Sequence, residues 1–124
     1  MNVMMMDVPH KAQRYDTAGD WRGPSDNIVI TVSRMGNWRY EMLVAIHELV
    51  ECVLCLNDGV SEQEVTDFDI KFEENRESGD DSEPGDSPKA PYKRQHFIAT
   101  TVERILAEAL KVDWNDYETR LNAL

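Results

Sequence analysis

His47, Glu48 and Glu51 interrupt an otherwise apolar run, VAIHELVEC at residues 44–52. A charge without a partner is costly in apolar surroundings, so three titratable groups here need a partner, a metal or an exposed edge. Residues four apart on a helix lie about 40° from one another, which sets His47 and Glu51 side by side, while Glu48 points about 100° away from His47. An imidazole and a carboxylate in that relation can hold a divalent metal, with zinc the expected ion. A further carboxylate such as Glu48 can act as general base on a water in metal-dependent hydrolysis. A catalytic zinc takes a third protein ligand. Of the three histidines, His10 falls in an irregular start and His96 opens a later helix, so His96 is the expected third ligand. Glu103 shares a face with His96 but lies about 10 Å farther along the axis. It is expected to orient a ligand or to serve a second metal. The plainer alternative is a hydrogen-bonded histidine with two acids at a helix edge. Against it, the face that holds His47 and Glu51 also carries Tyr40, Leu43, Val44, Val50 and Leu54.

The elements that must position these residues follow from pattern and punctuation. Residues 27–34, NIVITVSR, alternate Ile28, Ile30 and Val32 with Val29 and Thr31, which predicts a strand or the second arm of a hairpin. Gly36 and Asn37 end it. A helix is expected from about Trp38 to Leu56, closed by NDG at 57–59. Ser61 with Glu64 three residues on has the form of a capping box, so a short helix starts there. Beyond Pro91, Phe97, Ile98, Val102, Ile105, Leu106, Ala109 and Leu110 recur at three and four, the mark of a second core helix, and Asp113 caps a last short one. Residues 1–25 read as irregular, although YDTAGDW at 15–21 places two acids and two aromatics there without an evident purpose. Residues 73–91 read as an acidic loop rich in Pro and Gly. The expected fold is therefore one α+β domain over 1–124, mainly helical, with an N-terminal strand or hairpin, two packed central helices and a short C-terminal helix.

At 124 residues the chain suffices for one modest core. No apolar run reaches the roughly 18 residues of a membrane span, and the Met-rich start lacks the basic-then-apolar order of a signal peptide, so a cytoplasmic protein is expected. The net charge of −11 is localised: residues 58–86 hold twelve acids against Lys71 and Arg76, a local balance of −10 that leaves −1 for the rest. That argues against direct nucleic-acid binding, which needs a basic footprint, and suits a basic protein partner or a solvated loop. Composition leaves the oligomeric state open. Cys52 and Cys55 form a C-x-x-C well inside a helix, where thiols serve as small buried hydrophobes; a redox pair needs an exposed helix start, and no second C-x-x-C completes a zinc site.

Three resemblances bear on function. His47-Glu48-x-x-Glu51 resembles the H-E-x-x-H helix of zincin metallohydrolases, with a glutamate in place of the last histidine. Over about residues 15–120, the ordered set MGNWRYEMLVAIHELVE, FDIKFEENR, EPGD, APY, HFIATTVERILAEAL and VDWNDYE resembles small proteins of unassigned function encoded by bacteriophages and prophages. That likeness implies expression in the cytoplasm of a bacterial host, and it raises a second reading: a non-enzymatic interaction protein, such as a host-defence inhibitor or sequestering protein, whose acidic surface meets a basic host protein. A third pattern is that of MazG-like nucleotide pyrophosphatases, which pair Glu-x-x-Glu with Glu-x-x-Asp over magnesium. Here Glu48, Glu51, Glu64 and Asp67 stand in that order.

Overall fold

The Asn37 side-chain oxygen accepts from the backbone N–H groups of Arg39 and Tyr40, and the Glu41 carboxylate reaches back to those of Met35 and Gly36 at 2.7 and 2.9 Å. Donors on both sides of the strand-to-helix turn are thereby satisfied, which fixes where the central helix starts. In the computed structural model, which describes residues 1–124, that helix is α1, Trp38–Asp58. It ends at Gly59, whose φ of 75° is the left-handed conformation a helix C-terminus commonly needs. Helix α2 (Glu62–Glu74) starts from Ser61, whose hydroxyl accepts from the Glu64 N–H as the capping pattern predicts. Helix α3 (Lys93–Ala109) and helix α4 (Trp114–Asn122) follow, the latter capped by Asp113 through the Asp116 N–H. No helix is long and apolar enough to cross a membrane.

Three strands complete the α+β fold: β1 (Asn2–Val8), β2 (Gly19–Arg22) and β3 (Asn27–Ser33), in the order β1-β3-β2. The middle strand is the one the alternation marks. Ile28, Ile30 and Val32 are buried, and β3 pairs in parallel with β1 (Met5 opposite Ile30) and antiparallel with β2 (Trp21 opposite Ile30). The first 25 residues are therefore not irregular. β1 was hidden because both its faces are largely exposed, so its side chains carry no buried-exposed alternation, and its order comes from backbone pairing to a distant strand. β2 is four residues, Gly-Asp-Trp-Arg, too short and too poor in β-branched residues to signal itself.

Helix α1 lies between the sheet and α3. Its Leu43, Cys52 and Cys55 are fully buried with Ile30 of β3 and Tyr117 of α4. Both cysteines are free, and burial pushes their thiols up to about 12, as befits packing groups. Between α2 and α3 the chain is a loop containing one short 3-10 turn, Pro84–Asp86.

Candidate metal centre

His47 and Glu51 sit one turn apart on α1, and the packing of α3 against α1 brings His96, from the first turn of α3, up to both. His47 Nε2, Glu51 Oε2 and His96 Nδ1 form a triangle with sides of 3.3, 3.2 and 3.1 Å. Ligands held about 2.0–2.1 Å from a tetrahedral zinc stand roughly 3.3 Å from one another. These three atoms thus match one face of such a tetrahedron. All three residues are buried, at 8, 4 and 6% exposure.

Each remaining polar atom of the triad is held by another residue. His47 Nδ1 lies 2.7 Å from Glu103 Oε1, and His96 Nε2 lies 2.9 Å from Glu83 Oε2, with Asp86 Oδ1 at 3.3 Å. Carboxylates accept on both sides of each ring, and the outer contacts are the shorter, 2.7 and 2.9 Å against 3.3 and 3.1 Å to Glu51 Oε2, so a neutral imidazole carries its N–H on the outer side and its lone pair on the triangle side. The Trp21 indole N–H donates to Glu51 Oε1 at 3.2 Å, leaving Oε2 for the triangle. Three acceptors then face one another, an arrangement that needs a cation between them: extra protons on the rings, or a metal. Carboxylates behind ligand histidines and a fixed ligand carboxylate are what orient a metal's first ring of donors. The protonated alternative shows in the acidities. Burial works to discharge both histidines, but hydrogen bonds donated to Glu103 and Glu51 raise His47 well above its ordinary value, and those donated to Glu51 and Glu83 raise His96 to about 10. Burial likewise opposes ionised Glu51, yet the two histidines bring it down to about 2.

The triad lines a cavity of about 310 Å³. Glu48 lines it too, on the side where Gly19 of β2 approaches so closely that a Cβ there would lie 2.6 Å from Glu48 Cγ. Burial, reinforced by the Glu51 charge, pushes Glu48 well above the usual carboxylate range, and no hydrogen bond holds it. Asp69 of α2 accepts from Tyr15 Oη at 2.8 Å and from Tyr92 Oη; burial outweighs these bonds and pushes it up to about 7. Asp20 of β2 is paired in bidentate fashion with Arg14, at 2.6 and 2.9 Å.

Comparison with protein-family models, with curated proteins and with solved structures finds no match.

Of the residues singled out by spacing, His47, Glu51 and His96 meet, Glu48 shares their cavity, and Glu103 stands behind His47 and outside the triangle. His10 lines the same cavity but stays outside the triangle, bonded to Ser33 and Asp16. Glu64 and Asp67 are exposed on α2 and bond to Ser61 and Gln63, apart from Glu48 and Glu51, because the cavity side of α2 carries Glu62, Val65 and Asp69 instead. Spacing alone missed Trp21, Asp69 and Glu83. For the first, YDTAGDW was the available signal: Tyr15 bonds Asp69, Asp16 bonds His10, Asp20 bonds Arg14 and Trp21 bonds Glu51.

Proposed function

We propose that this chain binds one divalent metal, zinc by donor type, through His47, Glu51 and His96, and uses it in a hydrolytic reaction with Glu48 as general base. The observation that carries the reading is the triangle of 3.1–3.3 Å with every outer atom of its three residues already bonded. Three protein ligands leave a fourth position open for water, and the metal would lower that water's pKa. A cation beside Glu48 would also draw its carboxyl toward the ionised form a base requires. Glu103 and Glu83 hold the imidazoles in the ligating tautomers, and Trp21 keeps Glu51 monodentate.

The test is metal content and thermal melting of protein purified without an affinity tag. Zinc at a hundredfold excess over its Kd should stabilise the fold by about 2.7 kcal/mol, raising Tm by several degrees. Identical melting in zinc and in chelator, with no bound metal, overturns the reading. The second reading, an interaction protein meeting a basic partner, draws on the exposed carboxylates of Glu74, Glu77 and Asp81. Other acids of the same stretch have partners within the chain: Glu73 with Arg76, Asp80 with Ser82, and Glu83 and Asp86 with His96.

A further inference from the structure

The tetrapeptide Glu83-Pro84-Gly85-Asp86 lies midway along the acidic loop between α2 and α3, and it is pressed against a buried ring. A Cβ built on Gly85 would stand 2.3 Å from His96 Cγ, 2.5 Å from Nδ1 and 2.8 Å from Cδ2, so the backbone of the turn lies directly on the imidazole and only glycine fits. Pro84 opens the 3-10 turn, which closes through the Ser87 N–H on the Pro84 carbonyl at 3.0 Å. The turn presents Glu83 and Asp86 to Nε2 together. Gly85 is buried while Glu83 and Asp86, on either side of it, are exposed.

We infer that this turn is a clamp on His96, with Glu83 its positioning residue, and that closure of the acidic loop and metal binding at Nδ1 are a single coupled equilibrium. The inference rests on the metal reading above. Three features of His96 must be set for Nδ1 to ligate: the tautomer, the ring plane and the ring's flip state. Glu83 sets the tautomer and the flip state by accepting the Nε2 proton, and Gly85 sets the plane by contact. In return, a metal on Nδ1 makes Nε2–H a stronger donor to Glu83, so it tightens the loop. Apart from this turn, residues 75–89 are held chiefly by Arg76, which bonds Glu73 and the Asp80 carbonyl, and the rest of that stretch is mostly charged, Gly, Pro or Ser, whereas Ala90 beyond it already belongs to the core. Linkage makes the effect reciprocal: whatever factor the clamp adds to metal affinity, metal adds to clamp closure.

Glu83, Asp86 and His96 also form a group whose ligand atoms lie within 4.8 Å of one another. An outer ion there would need Nε2 without its proton while Nδ1 is already ligated, which requires an imidazolate. One metal per chain is therefore expected.

The experiment is calorimetric titration of the full metal-free chain with zinc chloride, paired with hydrogen exchange of residues 82–90 with and without zinc. Loss of an outer partner to a ligand histidine costs metal affinity about 10–100-fold. Glu83→Ala should show that loss, Glu83→Gln should recover part of it because its amide oxygen still accepts from Nε2, and Gly85→Ala should weaken zinc through the clash with the ring. Glu77→Gln, in the same loop but exposed and away from the ring, should match the wild type. Zinc should slow exchange across the turn of the wild type and leave that of Glu83→Ala unchanged. Equal zinc affinity in the wild type and Glu83→Ala, or exchange indifferent to zinc in a wild type that binds it, overturns the clamp and leaves the metal site standing. A second equivalent of zinc lost in Asp86→Asn overturns the clamp in favour of an outer ion. A wild type that binds no zinc overturns both.

Discussion

On one side of α1, Trp38, Met42 and Val53 are 58, 42 and 47% exposed; on the other, His47 and Glu51 are 8 and 4% exposed. A helix packed only for stability would carry the opposite distribution, since burying ionisable groups costs more than any single apolar contact returns. The inner side accommodates its polar residues because each is bonded: His47 to Glu103, and Glu51 to Trp21 and both histidines. The outer side has no such constraint. Single exposed apolar residues are ordinary on protein surfaces and need no account. Leu43, Val44, Ala45, Cys52 and Cys55 of the same helix are buried as core, so the contrast teaches that polarity among the buried residues, and not burial itself, singles out His47 and Glu51.

Substitutions sharpen the contrast, and the largest effect is expected at His47. In the metal-free protein His47→Ala leaves Glu51 and Glu103 buried without the ring between them, a loss of about 3–5 kcal/mol, and it removes zinc binding as well. Val53→Ala, on the opposite side, should change stability by about 0.5 kcal/mol or less. Urea unfolding of both variants measures the difference; comparable losses would mean that the outer side is covered in solution and the contrast fails.

Glu48→Gln separates site from scaffold. The amide keeps the size of the side chain and lacks the base, so zinc binding and melting should hold while hydrolysis falls about 10²–10⁴-fold. Activity retained alongside a lowered Tm would assign Glu48 to the fold.

A pH-dependent effect is expected from Asp69. Its carboxyl titrates at about 7 when folded and near 3.9 when unfolded, so between those values the folded chain holds the additional proton. Stability conferred by that proton is present below pH 4 and lost as pH rises toward 7, with a slope of up to about 1.4 kcal/mol per pH unit. Asp69→Asn should flatten this part of the stability profile of the metal-free protein. An unchanged slope would show that Tyr15 and Tyr92 hold the group ionised throughout.

The parts of this arrangement that were legible in the sequence are those written in local periodicity and end signals. Asn37, Ser61 and Asp113 announce their helices, Ile28, Ile30 and Val32 announce β3, and the spacings of His47, Glu51, His96 and Glu103 survive folding because helices are rigid rulers. Trp21, Asp69 and Glu83 come from three different segments, a four-residue strand, the inward side of a largely polar helix and a loop. Nothing local decides which way such a loop folds or which acid of a dozen turns inward. β1 was concealed for a related reason: its partner lies some 25 residues away in the register Asn2 opposite Asn27, and backbone hydrogen bonding leaves no trace in side-chain pattern.

The indole of Trp21 has an optical consequence. It is 3% exposed and touches a candidate ligand carboxylate, whereas Trp38 is largely in solvent and Trp114 lies under the Arg104 guanidinium, 4.3 Å from its ring centre. A buried indole emits toward the blue and an exposed one toward the red, so Trp38 supplies the red edge, and Trp21 shares the blue edge with Trp114, which packs on the core with its indole nitrogen buried. Cobalt or copper seated on Glu51 would quench the Trp21 share of that edge and spare the red one, which gives the unlabelled chain its own indicator of metal occupancy.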